Sequence, residues 1–145
     1  PNGVRITALG TDRALPLGDV NGDGLEDLGL QPQSGQVSVI YGRPPGVPLP
    51  TSTSQLDGSN GFRIDFGNSR FTVFPIGDLD GDGFDDLVVD EFNNFPAIER
   101  SFFVRGRASF PANFTPTLTN SIVLPPEIGL SRSYGSGDFD GDGHT

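Results

Sequence analysis

Apolar positions along the chain fall in short runs, such as Val37-Ser38-Val39-Ile40, Leu87-Val88-Val89 and Phe102-Phe103-Val104. Gly, Pro, Asn and Asp break these runs every ~5–12 residues, and that punctuation predicts short strands joined by tight turns. No long amphipathic helical pattern is evident. The expected class is all-β. No apolar stretch approaches the roughly 18 residues that a membrane-spanning helix needs.

Self-comparison organises the runs. Gly18-Asp19-Val20-Asn21-Gly22-Asp23-Gly24, Gly77-Asp78-Leu79-Asp80-Gly81-Asp82-Gly83 and Gly137-Asp138-Phe139-Asp140-Gly141-Asp142-Gly143 align, with their first aspartates 59 and 60 residues apart. Upstream, Leu15-Pro16-Leu17 matches Phe74-Pro75-Ile76 and, more loosely, Tyr134-Gly135-Ser136; downstream, Leu25-Glu26-Asp27-Leu28 matches Phe84-Asp85-Asp86-Leu87. Gly3-Val4-Arg5-Ile6 resembles Gly61-Phe62-Arg63-Ile64, and Val37–Arg43 resembles Phe102–Arg107. About five extra residues in the 93–100 region read as a loop insertion in the second repeat. The repeats are placed at 1–60, 61–120 and 121–145, the third incomplete. A period near 60 with several strand-like runs suggests a β-propeller blade of about four antiparallel strands. The chain holds about 2.4 such repeats where propellers use 4–8 blades, so a fragment of a larger propeller is expected. Two blades alone would leave faces unburied.

The glycine- and aspartate-rich loops carry the chemistry. Counted from its first aspartate, the first loop has Asp19, Asn21, Asp23 and Asp27 at positions 1, 3, 5 and 9, and the second has Asp78, Asp80, Asp82 and Asp86. The third offers Asp138, Asp140 and Asp142 before the sequence given stops at Thr145. Alternate side chains on a tight loop converge, the glycine at position 6 permits the sharp turn, and the carbonyl at position 7 (Leu25, Phe84, His144) can face inward. Such a set of hard oxygens suits Ca²⁺ better than Mg²⁺, which keeps its waters, or Zn²⁺, which takes nitrogen and sulfur. Two complete calcium sites and a third partial one are expected. Without a cation the packed carboxylates would repel one another and resist ionisation. Solvated Asp-Gly turns are the plainer reading of any single loop, but three copies at near-equal spacing weigh against it.

An EF-hand would need a bidentate glutamate at position 12, where Leu30 and Val89 stand, and helices in place of strand-like Asp27–Leu30 and Asp86–Val89. The run Gly77–Val89, the Phe66-Gly67 pair and the Val37–Arg43 strand instead resemble the FG-GAP (integrin α-subunit N-terminal) repeat family in its microbial and secreted versions. The resemblance implies propeller blades with a structural calcium ion in the hairpin loop between the first two strands, usually in an extracellular protein. The Gly-Ala-Pro element of that family is Gln31-Pro32-Gln33 in one repeat and Asp90-Glu91-Phe92 in the other, so ligand-binding properties of that region do not carry over.

Composition narrows the function. The 145 residues carry nineteen acidic and nine basic side chains, a net charge of −10, and every basic one is arginine. That balance argues against nucleic acid, which is held by clustered positive charge, and against insertion into or attraction to an anionic membrane. The lack of cysteine removes disulfides and thiol chemistry, and no leader-like apolar run stands at Pro1. The reading reached is a non-catalytic, calcium-stabilised extracellular module for adhesion or ligand binding, carbohydrate included, able to assemble with further blades or copies. The alternative is an accessory part of a secreted hydrolase or polysaccharide lyase. Within these residues a catalytic set is missing: Asp85 is expected to point outward beside the ligand Asp86, and His144 is a lone histidine in a metal loop. Gly42–Pro50 is expected to be a rigid connector between blades. Phe62, Phe66, Phe71, Phe74, Phe84 and Phe102 are expected in the core between blades, and Asn113-Phe114-Thr115 is a glycosylation sequon. Arg105 and Arg107 alternate as if exposed and receive no role.

Overall fold

The computed structural model describes residues 11–32, 36–67, 70–92, 99–117 and 121–124. Its strands, in chain order, are β1 (Thr11–Gly18), β2 (Asp27–Pro32), β3 (Val37–Ile40), β4 (Gly61–Ile64), β5 (Arg70–Gly77), β6 (Asp86–Phe92), β7 (Glu99–Val104), β8 (Asn113–Phe114) and β9 (Ile122–Leu124). Among the described residues there is no α-helix, as the punctuated apolar runs predict. The strands form two open sheets, ordered β1-β2-β3-β4-β8 and β5-β6-β7-β9, in which all pairs are antiparallel except β4 with β8.

The sequence repeat is visible in the register. Pro16 faces Leu28 and Gly18 faces Asp27 across β1 and β2; Pro75 faces Leu87 and Gly77 faces Asp86 across β5 and β6. The pairing shifts between each proline and glycine, and both glycines have positive φ, 78° and 74°. That left-handed backbone is open to glycine without penalty and turns the chain into the acidic loop. The prolines are tolerated because β1 and β5 are edge strands, where a missing N–H breaks no ladder.

Sheet and sequence repeat are offset by one strand. Gly61–Ile64 opens the second repeat, yet it pairs with β3 as the fourth antiparallel strand of the first sheet; Ile122–Leu124 does the same for the second. Gly42–Pro50 therefore connects strands of one sheet rather than two blades, a correction to the sequence reading. Its prolines stiffen a long link between neighbouring strands.

One apolar core joins the sheets. Leu17, Val39 and Phe62 of the first pack with Val73, Val89 and Phe102 of the second, all buried, and a smaller cluster of Leu30, Ile40 and Leu56 lies elsewhere. Phe110 stacks on Phe62 with ring centroids 4.1 Å apart, Phe114 meets both edge-on, and Phe66 packs against Phe71 and Phe102. Complete burial of one such side chain contributes about 1.5–3 kcal/mol, so this core positions the loops above it. Of the phenylalanines expected there, Phe62, Phe71 and Phe102 are buried and Phe66 partly so, while Phe74 and Phe84 are intermediate.

Candidate metal centre

Both described acidic loops sit at the same hairpin position, between β1 and β2 and between β5 and β6, and use the same hydrogen bonds. In the first, Asp19 accepts the amides of Asp23 and Gly24 through its two oxygens, at 2.9 and 2.7 Å. In the second, Asp78 accepts those of Asp82 and Gly83, at 3.0 and 2.8 Å. Position 5 caps position 7: Asp23 accepts the Leu25 amide and Asp82 the Phe84 amide. These contacts are what short aspartates do in turns, satisfying backbone donors that the tight curve leaves exposed.

Position 9 does something else. Asp27 and Asp86 open β2 and β6 and are almost fully buried. Asp27 accepts the amide of Val20 at 3.0 Å and that of Gly42 at 2.8 Å. Asp86 accepts Leu79 at 3.0 Å and Gly106 at 2.8 Å. Each carboxylate thus ties its loop to the chain leaving the third strand of its sheet. The glycines at those contacts are dictated by space: a Cβ on Gly42 would lie 2.6 Å from the Glu26 carbonyl oxygen, and one on Gly106 2.5 Å from that of Asp85. Burial pushes the Asp27 carboxyl up to about 7, against the two amides that favour its charge and with repulsion from Asp23 and Asp19 adding to the rise. Asp86 is pushed up to about 6 by burial, opposed by Gly106 and Leu79 and aided by Asp80 and Asp82. A cation at either loop would favour the ionised form and reverse this shift.

In the second loop, carboxylate oxygens of Asp78, Asp80 and Asp86 all lie within 4.8 Å of one another. Such a donor set, hard and anionic, fits a divalent oxygen-seeking ion; it lacks the nitrogen or sulfur that zinc prefers. Asp82 is not part of that group. In the first loop position 3 is Asn21, whose amide nitrogen donates to Asp23 at 3.0 Å, so one anionic donor is replaced by a neutral one. Leu25 and Phe84 are placed at the expected turn by their amides. Asp138, Asp140, Asp142 and His144 lie outside the described residues.

Three residues to which the sequence assigns no role, Arg105, Asp85 and Arg107, belong to this region. Arg105, 61% exposed, holds its Nε 3.0 Å from Asp80. Asp85 does not simply face outward: its carboxylate accepts the Asp19 amide at 2.6 Å, and its own amide donates to the Asp19 carbonyl at 2.9 Å. The Arg107 amide donates to the Val20 carbonyl, and its guanidinium lies over Phe110 and Phe114 at 4.3 and 5.0 Å. Burial lowers the Arg107 pKa, with Tyr41 acting the other way. Residues 85 and 107 therefore clamp the first loop onto the second sheet. Only the positional match between repeats could have signalled this, since the partners are far apart in sequence. Asn113, in the sequon, accepts from Arg63 Nε at 2.7 Å.

No family model matches the chain, and no solved structure matches it either.

Proposed function

We propose that the chain is a calcium-stabilised, propeller-type binding module whose acidic hairpin loops hold structural divalent ions. The observation that carries this reading is the convergence of Asp78, Asp80 and Asp86 at the mouth of one hairpin. Asp78 and Asp86 are already fixed by backbone amides, so the site is largely preformed and little ordering cost attaches to binding. An ion there would offset the burial, and the lesser repulsion from Asp80 and Asp82, that raise the Asp86 carboxyl to about 6, and would lock β5 to β6. A site with three carboxylates on an open loop suits millimolar calcium, the extracellular range of about 10⁻⁴–10⁻³ M dissociation constants.

In this reading the ion has no reaction to perform. The paired sheets form a rigid base from which loops present a surface to a protein or glycan ligand outside the cell, and further blades extend the same arrangement. The test is thermal unfolding of the chain in millimolar calcium and in chelator, for the native sequence and for Asp80→Ala. Calcium should raise the melting temperature of the native chain, and the substitution should shrink the difference. Equal melts in calcium and chelator for the native chain would contradict the reading.

A further inference from the structure

Two asparagine–glycine pairs stand among the described residues, Asn21-Gly22 in the first acidic loop and Asn60-Gly61 at the start of β4; Asn2-Gly3 lies outside them. Such a pair is chemically weak, because glycine has no side chain to keep its amide nitrogen away from the γ-carbon of the preceding asparagine. The two pairs are held very differently. Among the described residues neither the Asn21 carbonyl nor the Gly22 amide is hydrogen-bonded, and Gly22 is exposed. Asn21 Oδ1 accepts the Asp23 amide at 3.2 Å, and its Nδ2 donates to the Asp23 carboxylate at 3.0 Å. Asn60 is locked in place. Its Oδ1 accepts the Asp57 amide at 3.1 Å, its Nδ2 donates to the Gln55 carbonyl at 2.9 Å, and its own carbonyl accepts the Tyr41 amide at 3.2 Å. Gly61 is buried, and a Cβ there would lie 2.1 Å from the Val39 carbonyl oxygen. Attack by the glycine nitrogen swings the peptide between the two residues, which breaks the Tyr41 bond at Asn60 and no main-chain bond of that peptide at Asn21.

We infer that Asn21 is a site of spontaneous deamidation in the folded chain, and that the conversion gives the first loop the aspartate pattern of the second. The Gly22 amide nitrogen gives up its proton and bonds to Asn21 Cγ, closing a cyclic imide. The Cγ–Nδ2 bond breaks, and the amino group leaves as ammonia, with a proton replacing the one that Gly22 lost. The Asp23 amide on Oδ1 stabilises the negative charge that builds on that oxygen during the attack. Water, which reaches this exposed turn, then opens the imide. Addition at Cγ restores the peptide and leaves an aspartate side chain; addition at the main-chain carbonyl routes the chain through the side chain as isoaspartate. No oxidant or reductant takes part. The first product carries a carboxylate at loop position 3, where the second loop has Asp80.

The gain for a cation rests on the proposed metal reading; the conversion itself does not. In the full 145-residue chain kept folded in mildly alkaline buffer, peptide mapping by mass spectrometry should show Asn21 converted while Asn60 keeps its amide. In urea, with the fold gone, the two should convert at similar rates. An intact amide at Asn21, equal conversion of both in the folded chain, or a preference for Asn21 that persists in urea would each overturn the inference. Asn60 serves as the internal control, since replacing Gly22 would bring a Cβ within 2.5 Å of the Phe84 ring. Asn21→Asp should show a larger calcium-dependent rise in melting temperature than the freshly prepared native chain, and an equal or smaller rise would overturn the stated consequence for the loop. Conversion at Asn21 with no response to calcium in either chain would sink the metal reading and leave the deamidation site standing.

Discussion

Arg105 Nε stands 3.0 Å from Asp80 Oδ2, so a cation carried by the chain itself already rests on the loop carboxylate that no backbone amide is shown to hold. The counterpart of Arg105 in the first sheet is Tyr41, buried against Phe62, which offers no such charge. A divalent ion at Asp78, Asp80 and Asp86 has to compete with this guanidinium. Exposed ion pairs are worth about 0.2–1 kcal/mol, so Arg105→Ala should tighten calcium binding at the second loop by no more than about fivefold. Calorimetric titration checks this; weaker binding in the variant would mean that Arg105 helps the site instead of competing for it.

Asp86 and Asp80 should separate cleanly when no metal is present. Asp86→Ala strands the amides of Leu79 and Gly106 in a buried setting, and each unpaired donor costs about 1–3 kcal/mol. Asp80→Ala loses one exposed ion pair, worth at most about 1 kcal/mol. Urea unfolding in chelator should therefore show a large loss for the first and a small one for the second. Asp27→Ala should behave like Asp86→Ala, because Val20 and Gly42 depend on it in the same way.

The raised carboxyls set a pH dependence of definite sign. Asp27 and Asp86 titrate at about 7 and about 6 in the folded chain against an ordinary 3.8, so the folded state binds more protons between those values. Their contribution to metal-free stability is complete below about pH 4 and is lost as pH rises through 6 to 7. Calcium needs the ionised form, so its affinity runs the opposite way and at the second loop should fall roughly tenfold between pH 7 and pH 5. Melting curves across that range, with calcium and with chelator, should show the stabilisation by calcium widening as pH rises. A constant gap would count against Asp86 as a ligand.

Glycines 42 and 106 are predicted to be intolerant for steric reasons. The groups a methyl would meet there are backbone carbonyl oxygens at 2.6 and 2.5 Å, which cannot turn aside. Gly106→Ala should destabilise the chain by about 1–3 kcal/mol, the usual cost of overpacking, and should weaken metal binding because Asp86 shifts with the chain it holds. Denaturant unfolding and a calcium titration measure the two effects separately.

Much of this arrangement was legible in the residues themselves. Runs such as Val37–Ile40 are too short and too β-branched for helix, and the glycine and aspartate punctuation places the hairpin turns where they are found. The repeat located both loops, because a tight turn with alternating aspartates has few other solutions. Strand partnership was less accessible. Gly61–Ile64 opens a repeat in the sequence but closes a sheet in the fold, since hydrogen-bond pairing need not respect the phase of the repeat. Asp85 and Arg105 were missed for a related reason. Their partners, Asp19 and Asp80, are 66 and 25 residues away, and nothing local to either residue encodes that distance. Burial of Asp27 and Asp86 was hidden too: loop position 9 looked like one ligand among four, whereas it also secures the third strand.

The most direct test is crystallography with calcium present, using anomalous scattering to locate the ion. A peak among the Asp78, Asp80 and Asp86 carboxylates, with oxygen distances of about 2.3–2.6 Å, is the predicted result. Water alone at that point in crystals grown with millimolar calcium, with Arg105 still seated on Asp80, would contradict it.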